Sequence, residues 1–184
     1  LLLLELEKLL AFTLKDFPVY QRTETLQVAL SKRLLTCPFL SMRIKGMTLL
    51  VDLVDMAKRK DMPRTYDATG YTYQSRAPLP TTKWVTTAWL AEWIAGQDVL
   101  DIALGDTDAL RRYNLEDTHV ELVKRSEDLL IFLAKFGKLT TRHIDLLWGA
   151  TVNQPDQQKR AVYKILSGIT AAMSPELLDF VGMK

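Results

Sequence analysis

The sequence predicts an all-α chain, and three observations carry that prediction. Apolar residues recur at three- and four-residue spacings almost throughout, the mark of amphipathic helices. No segment alternates apolar and polar residues with period two, as a half-buried strand would. The last third of the chain repeats its own pattern at a fixed offset, as stacked helical units do.

Residues 1–15 are predicted as a first helix, ending before Phe17-Pro18 because proline disfavours α geometry at the residue preceding it. The opening LLLLELEKLL has no basic n-region, and Glu5, Glu7 and Lys8 interrupt it, so it is not a signal peptide. It reads as the interior of a helix that starts further upstream, so the chain is expected to be a fragment. Thr23 or Thr25 is the expected cap of a second helix, which Cys37-Pro38 stops. Ser41 is the expected cap of SMRIKGMTLLVDLVDMAKRK, with Ile44, Met47, Val51 and Val54 on one stripe widened by Leu50. Residues 61–82 carry Pro63, Gly70, Pro78 and Pro80 without helical period, and are expected to be an irregular loop or insertion between helical residues 1–60 and 83–184.

Beyond the loop, KWVTTAWLAEWIAGQ places Val85, Trp89 and Trp93 at four-residue steps, with Gly96 ending the turn. DVLDIALGD follows as a short apolar helix. The next helix is expected to run unbroken from an N-cap at Asp117 to a C-terminal glycine at Gly137. TTRHIDLLWGA is capped by Thr140, and QQKRAVYKILSGITAA and SPELLDFVGMK complete the chain.

Sliding the chain by 174 − 140 = 34 residues lays Thr140 on Ser174, both N-cap types, and Thr141 on Pro175, a favoured first helical residue. The same shift matches Ile131 with Ile165, Phe132 with Leu166, Leu139 with Met173, Ile144 with Leu178, and Leu146 with Phe180. Two helix–turn–helix units in one register predict a single α-solenoid domain. The tetratricopeptide pattern of Trp, Leu-Gly and Tyr is missing, so the expected class is armadillo- or HEAT-like.

Composition narrows the function. Apolar residues make up 48% and charged residues 25%, a globular balance, and net charge is 24 − 22 = +2 with the basic residues dispersed. Such a field gives no reason to expect nucleic acid or anionic lipid as a partner. The cluster Lys58-Arg59-Lys60 is expected to complement a helix C-terminus. No apolar run approaches the roughly 20 residues of a membrane span. A single cysteine, Cys37, excludes an internal disulfide framework and a CxxC metal pattern, and suits a reducing compartment.

Both histidines, His119 and His143, fall in one strip with Trp148. His143 and Asp145 stand two residues apart, about 200° around a helix, and cannot orient each other. His119 is expected in a first helical turn, where the dipole disfavours imidazolium. Metal-ligand spacing and nucleotide-binding glycine motifs are both missing from the sequence. Cys37 precedes a proline at a helix end, and no basic neighbour in the sequence activates it. Cys37 and the four tryptophans, Trp84, Trp89, Trp93 and Trp148, are therefore expected to be core, and both histidines structural, with His143 half-buried. Gly46 and Gly149 are expected where helices approach closely. Glu121 should pair with Arg125, and Lys124 with Asp128, at i,i+4. No catalytic, metal-binding or cofactor-binding residue is predicted.

The ordered set LAEWIAGQDVLDIALGD, HVELVKRSEDLLIFLAKFGKLTTRHIDLLWGA and MSPELLDFV, spanning Leu90 to Val181, resembles the long N-terminal α-solenoid of the very large ubiquitin-specific proteases of the fat-facets type. KRLLTCPFLSMRIKGMTLL fits more loosely, and YDATGYTYQSRAPLPTT departs from the pattern. The resemblance implies a parent with a papain-like thiol protease domain elsewhere, marked by an Asn-x-Gly approach to its cysteine and a Gly-His-Tyr box. Neither motif occurs here, so no catalytic residue carries over. What the resemblance implies for this segment is a non-catalytic scaffold offering surfaces to protein substrates or adaptors, in the cytoplasm or also the nucleus. The rival readings are an armadillo- or HEAT-type adaptor unrelated to ubiquitin, and a small enzyme using Cys37 with a histidine.

Overall fold

The computed structural model describes residues 19–61, 85–116, 118–151 and 156–183; among them every regular element is a helix. The helix expected over 1–15, the 61–82 insertion beyond Asp61, the cap at Asp117 and Trp84 lie outside the described residues.

The first unit is an antiparallel hairpin of α1 (Val19–Leu35) and α2 (Leu40–Asp61). Helix α1 begins before Thr23 and Thr25, so neither is its cap, and α2 begins at Leu40, with the Phe39 carbonyl accepting from Met42 and Arg43 N–H. Ser41 lies inside it. The turn between them is set by Cys37-Pro38, with Thr36 and Cys37 N–H still bonded back to Lys32 and Leu34. The buried stripe of α2 is Met47, Leu50, Leu53, Val54 and Ala57, with Ile44 and Val51 at its margins. Each such Leu or Val contributes about 1.5–3 kcal/mol by leaving water. Gly46 makes the hairpin possible: a Cβ there would lie 2.6 Å from the Ser31 carbonyl oxygen and 2.7 Å from Leu35 N. The expected close approach is present at Gly46 and not at Gly149, where a Cβ would meet open space.

Beyond the insertion come α3 (Thr87–Ala95), α4 (Val99–Leu104) and α5 (Thr107–Arg112). Thr86 caps α3 by accepting from Trp89 N–H at 3.2 Å. The core face of α3 is Leu90, Ala91 and Ile94, not the Val85–Trp89–Trp93 stripe. Val85 precedes the helix, Trp93 is half-buried and Trp89 is 40% exposed. Four-residue steps drift about 40° per turn around a helix, which carries Trp89 out of the core.

The segment expected as one helix from Asp117 is two, α6 (Val120–Arg125) and α7 (Glu127–Lys135), capped by His119. The junction is Ser126, fully buried, whose Oγ donates to the Val123 carbonyl at 2.7 Å while its N–H is shared between Leu122 and Val123. A buried serine bonding back to its own helix bends it. Lys124 pairs with Glu121 at 3.1 Å, three residues back, rather than with Asp128. Arg125 Nη1 instead donates to Thr48 Oγ1 on α2 at 3.2 Å. Helix α7 ends as expected at Gly137 (φ +64), with Lys138 N–H on the Leu133 carbonyl and Gly137 N–H on that of Ala134.

The last helices are α8 (Thr141–Gly149), α9 (Asp156–Thr170) and α10 (Pro175–Gly182), the last beginning with proline after Ser174. Contacts sort the helices into two ranks. One runs α2, α6–α7, α9; the other runs α1, α4, α8, α10; α3 packs on α2, α4 and α7. Apolar faces from both ranks form one continuous core. The 34-residue offset has a structural meaning: it steps α7 onto α9 in one rank and α8 onto α10 in the other. This is the expected solenoid.

Candidate functional site

Cys37, His119 and His143, which the sequence singles out, fall on three different elements: the α1–α2 turn, the start of α6 and the first turn of α8. Cys37 sits half-buried in the α1–α2 turn. His119 precedes α6, and its Nδ1 accepts from Glu121 N–H at 3.2 Å. His143 lies in the first turn of α8, where its Nδ1 accepts from Thr140 N–H at 3.1 Å and stands 3.0 Å from Thr140 Oγ1. Each ring spends its Nδ1 lone pair on a helix start. A general base needs that lone pair free for the proton it abstracts. Among the described residues no group of three or more His, Cys, Asp or Glu side chains could hold a metal ion, and no helix is long and apolar enough to cross a membrane.

A polar cluster joins α4 and α5 to α8. Asp106 caps α5 by accepting from Ala109 N–H at 2.9 Å, and its other carboxylate oxygen is 2.8 Å from Arg142 Nη2. Arg142 Nε also lies 3.6 Å from Asp101 Oδ1 on α4. Burial pushes the Asp106 carboxyl up, but the Ala109 amide and the Arg142 guanidinium outweigh it and hold the group below its ordinary value. Beside this cluster, burial pushes the His143 imidazole down; Asp101 opposes that shift and Arg142 adds to it. The chain pattern contains one signal of the cluster, an Asp106-Thr107-Asp108 start typical of capped helices. Nothing in the sequence pairs Arg142 with residues 36 and 41 positions earlier.

Trp89, Phe136 and Tyr163 each expose a large part of their rings. An ion pair between Lys138 Nζ and Glu92 Oε1 at 2.6 Å ties α3 to the residues just beyond α7. Tyr163 on α9 packs edge-on against Trp148, with ring centroids 5.8 Å apart. Trp148 is partly buried against the core, as expected, and so is Trp93. Lys58 lies in the last turn of α2, as expected, where it pairs with Asp55 at 3.3 Å and stands 5.8 Å from the centre of the Phe132 ring.

These features describe a helical framework with structural polar joints. Residues 21–182 match the family described as the UBP24/USP9X/USP9Y ARM repeat. The chain is 29% identical over 97 residues to mouse ubiquitin carboxyl-terminal hydrolase 9X, covering 53% of this chain and 3% of that protein. It is 28% identical over 96 residues to a fruit-fly protein named probable ubiquitin carboxyl-terminal hydrolase FAF, covering 52% of this chain and 3% of that one. Human ubiquitin carboxyl-terminal hydrolase 34 is 33% identical over 61 residues, covering 33% of this chain and 1% of the relative. The matched segments are thus a small share of the relatives' length, and no solved structure is significantly similar. With the family matched across nearly its whole length and the helices stacked in two ranks, the chain belongs to the armadillo-repeat family of the large ubiquitin-specific proteases UBP24, USP9X and USP9Y.

Proposed function

We propose that this segment is a non-catalytic scaffold of a large deubiquitinating enzyme. It shapes the enzyme and offers surfaces to protein substrates or adaptors, while a thiol-dependent catalytic domain outside residues 1–184 removes ubiquitin. The observation that carries this reading is the family match over residues 21–182. The engagement of both imidazoles in helix starts supports it, because a thiol protease needs an imidazole within reach of its cysteine. The setting we propose is the cytoplasm, and also the nucleus.

The direct test is chemical. The purified chain should neither cleave a ubiquitin–fluorophore substrate nor label with a ubiquitin-based thiol-reactive probe. Stoichiometric labelling of Cys37, lost on substituting His119 or His143, would overturn the scaffold reading. In the parent enzyme, deleting residues 85–183 should leave turnover of ubiquitin–fluorophore intact and lower turnover of ubiquitinated protein substrates. Equal loss on both substrates would place this region in the catalytic machinery instead.

A further inference from the structure

We draw no further inference here: the strongest candidate, the apolar surface patch on α10 where Leu178 and the C-cap residue Met183 are exposed, carries nothing because nothing in the structure shows what covers it.

Discussion

The α1–α2 hairpin and the joint of α4–α5 with α8 solve the same packing problem with different chemistry. The hairpin is held mainly by apolar side chains and by backbone contact at Gly46, and it also buries Ser31 and Arg43. The α8 joint adds a guanidinium bridging two mostly buried carboxylates to the apolar contacts of Ile144 and Leu147. Apolar burial is indifferent to pH and depends little on salt, whereas ion pairs with one exposed partner are screened and titratable. The contrast therefore predicts a solenoid whose layers share one core but respond differently to solution conditions.

The largest effect should come from the core that both regions share. Phe132 is fully buried, packs against Phe136 with ring centroids 5.0 Å apart, and lies under Lys58. Phe132→Ala should destabilise the chain by about 3–5 kcal/mol in urea denaturation. A loss near that of an ordinary surface substitution would mean that the two ranks do not share one core. Next in size is Gly46→Ala, where the new methyl meets backbone atoms that cannot swing aside. Overpacking costs about 1–3 kcal/mol, and the better helix propensity of alanine returns up to about 1 of it. Gly149→Ala meets open space and should instead stabilise by up to about 1 kcal/mol. Equal signs for the two glycine substitutions would remove the claimed close approach from the hairpin.

The polar joint should show a smaller, pH-dependent effect. Asp106→Ala removes the α5 cap and should cost about 1 kcal/mol at neutral pH. Because the folded carboxyl is held below its unfolded value, the stabilisation it supplies is fully present above about pH 4 and fades as the pH falls through the folded value. Wild type and Asp106→Ala should thus converge in stability at acid pH. A gap that persists unchanged below pH 3 would show that packing, not charge, explains the loss.

How much of this was legible depended on the range of the interaction. Helical period, the Gly137 terminus and the 34-residue echo are local or periodic, and the structure carries all three. The break at Ser126 was missed because serine is an ordinary helix residue; only its burial, with Oγ turned onto the Val123 carbonyl, makes it bend the chain. The caps expected at Ser41, Thr23 and Thr25 failed because residue type permits a cap without requiring one. For Glu121, i,i+3 and i,i+4 partners are almost equally placed on a helix, and Arg125 was drawn across to Thr48. The Arg142 cluster brings together α4, α5 and α8, and a pairing of that kind becomes visible only once the layers stack.

The smallest predicted effect tests Trp89, which among the described tryptophans is the one exposed rather than packed on the core. Trp89 carries a large apolar surface, and from composition alone its truncation would rank with that of Phe132. Its position on α3 says otherwise: the helix turns Leu90, Ala91 and Ile94 inward and leaves the Trp89 ring 40% exposed. Its backbone amide, not its ring, does the local structural work by donating to Thr86 Oγ1, and alanine retains that amide. Trp89→Ala should therefore change stability by no more than about 0.5–1 kcal/mol, since only part of the ring's area is removed from water. Fluorescence quenching by iodide should fall on the same substitution, because the most exposed indole among the described residues is lost. If Trp89→Ala costs as much as Phe132→Ala in the same denaturation assay, the α3 register is wrong and the four-residue stripe is the true core face. If the cost is small, the Trp89 ring is a surface feature, and the core face of α3 is Leu90, Ala91 and Ile94.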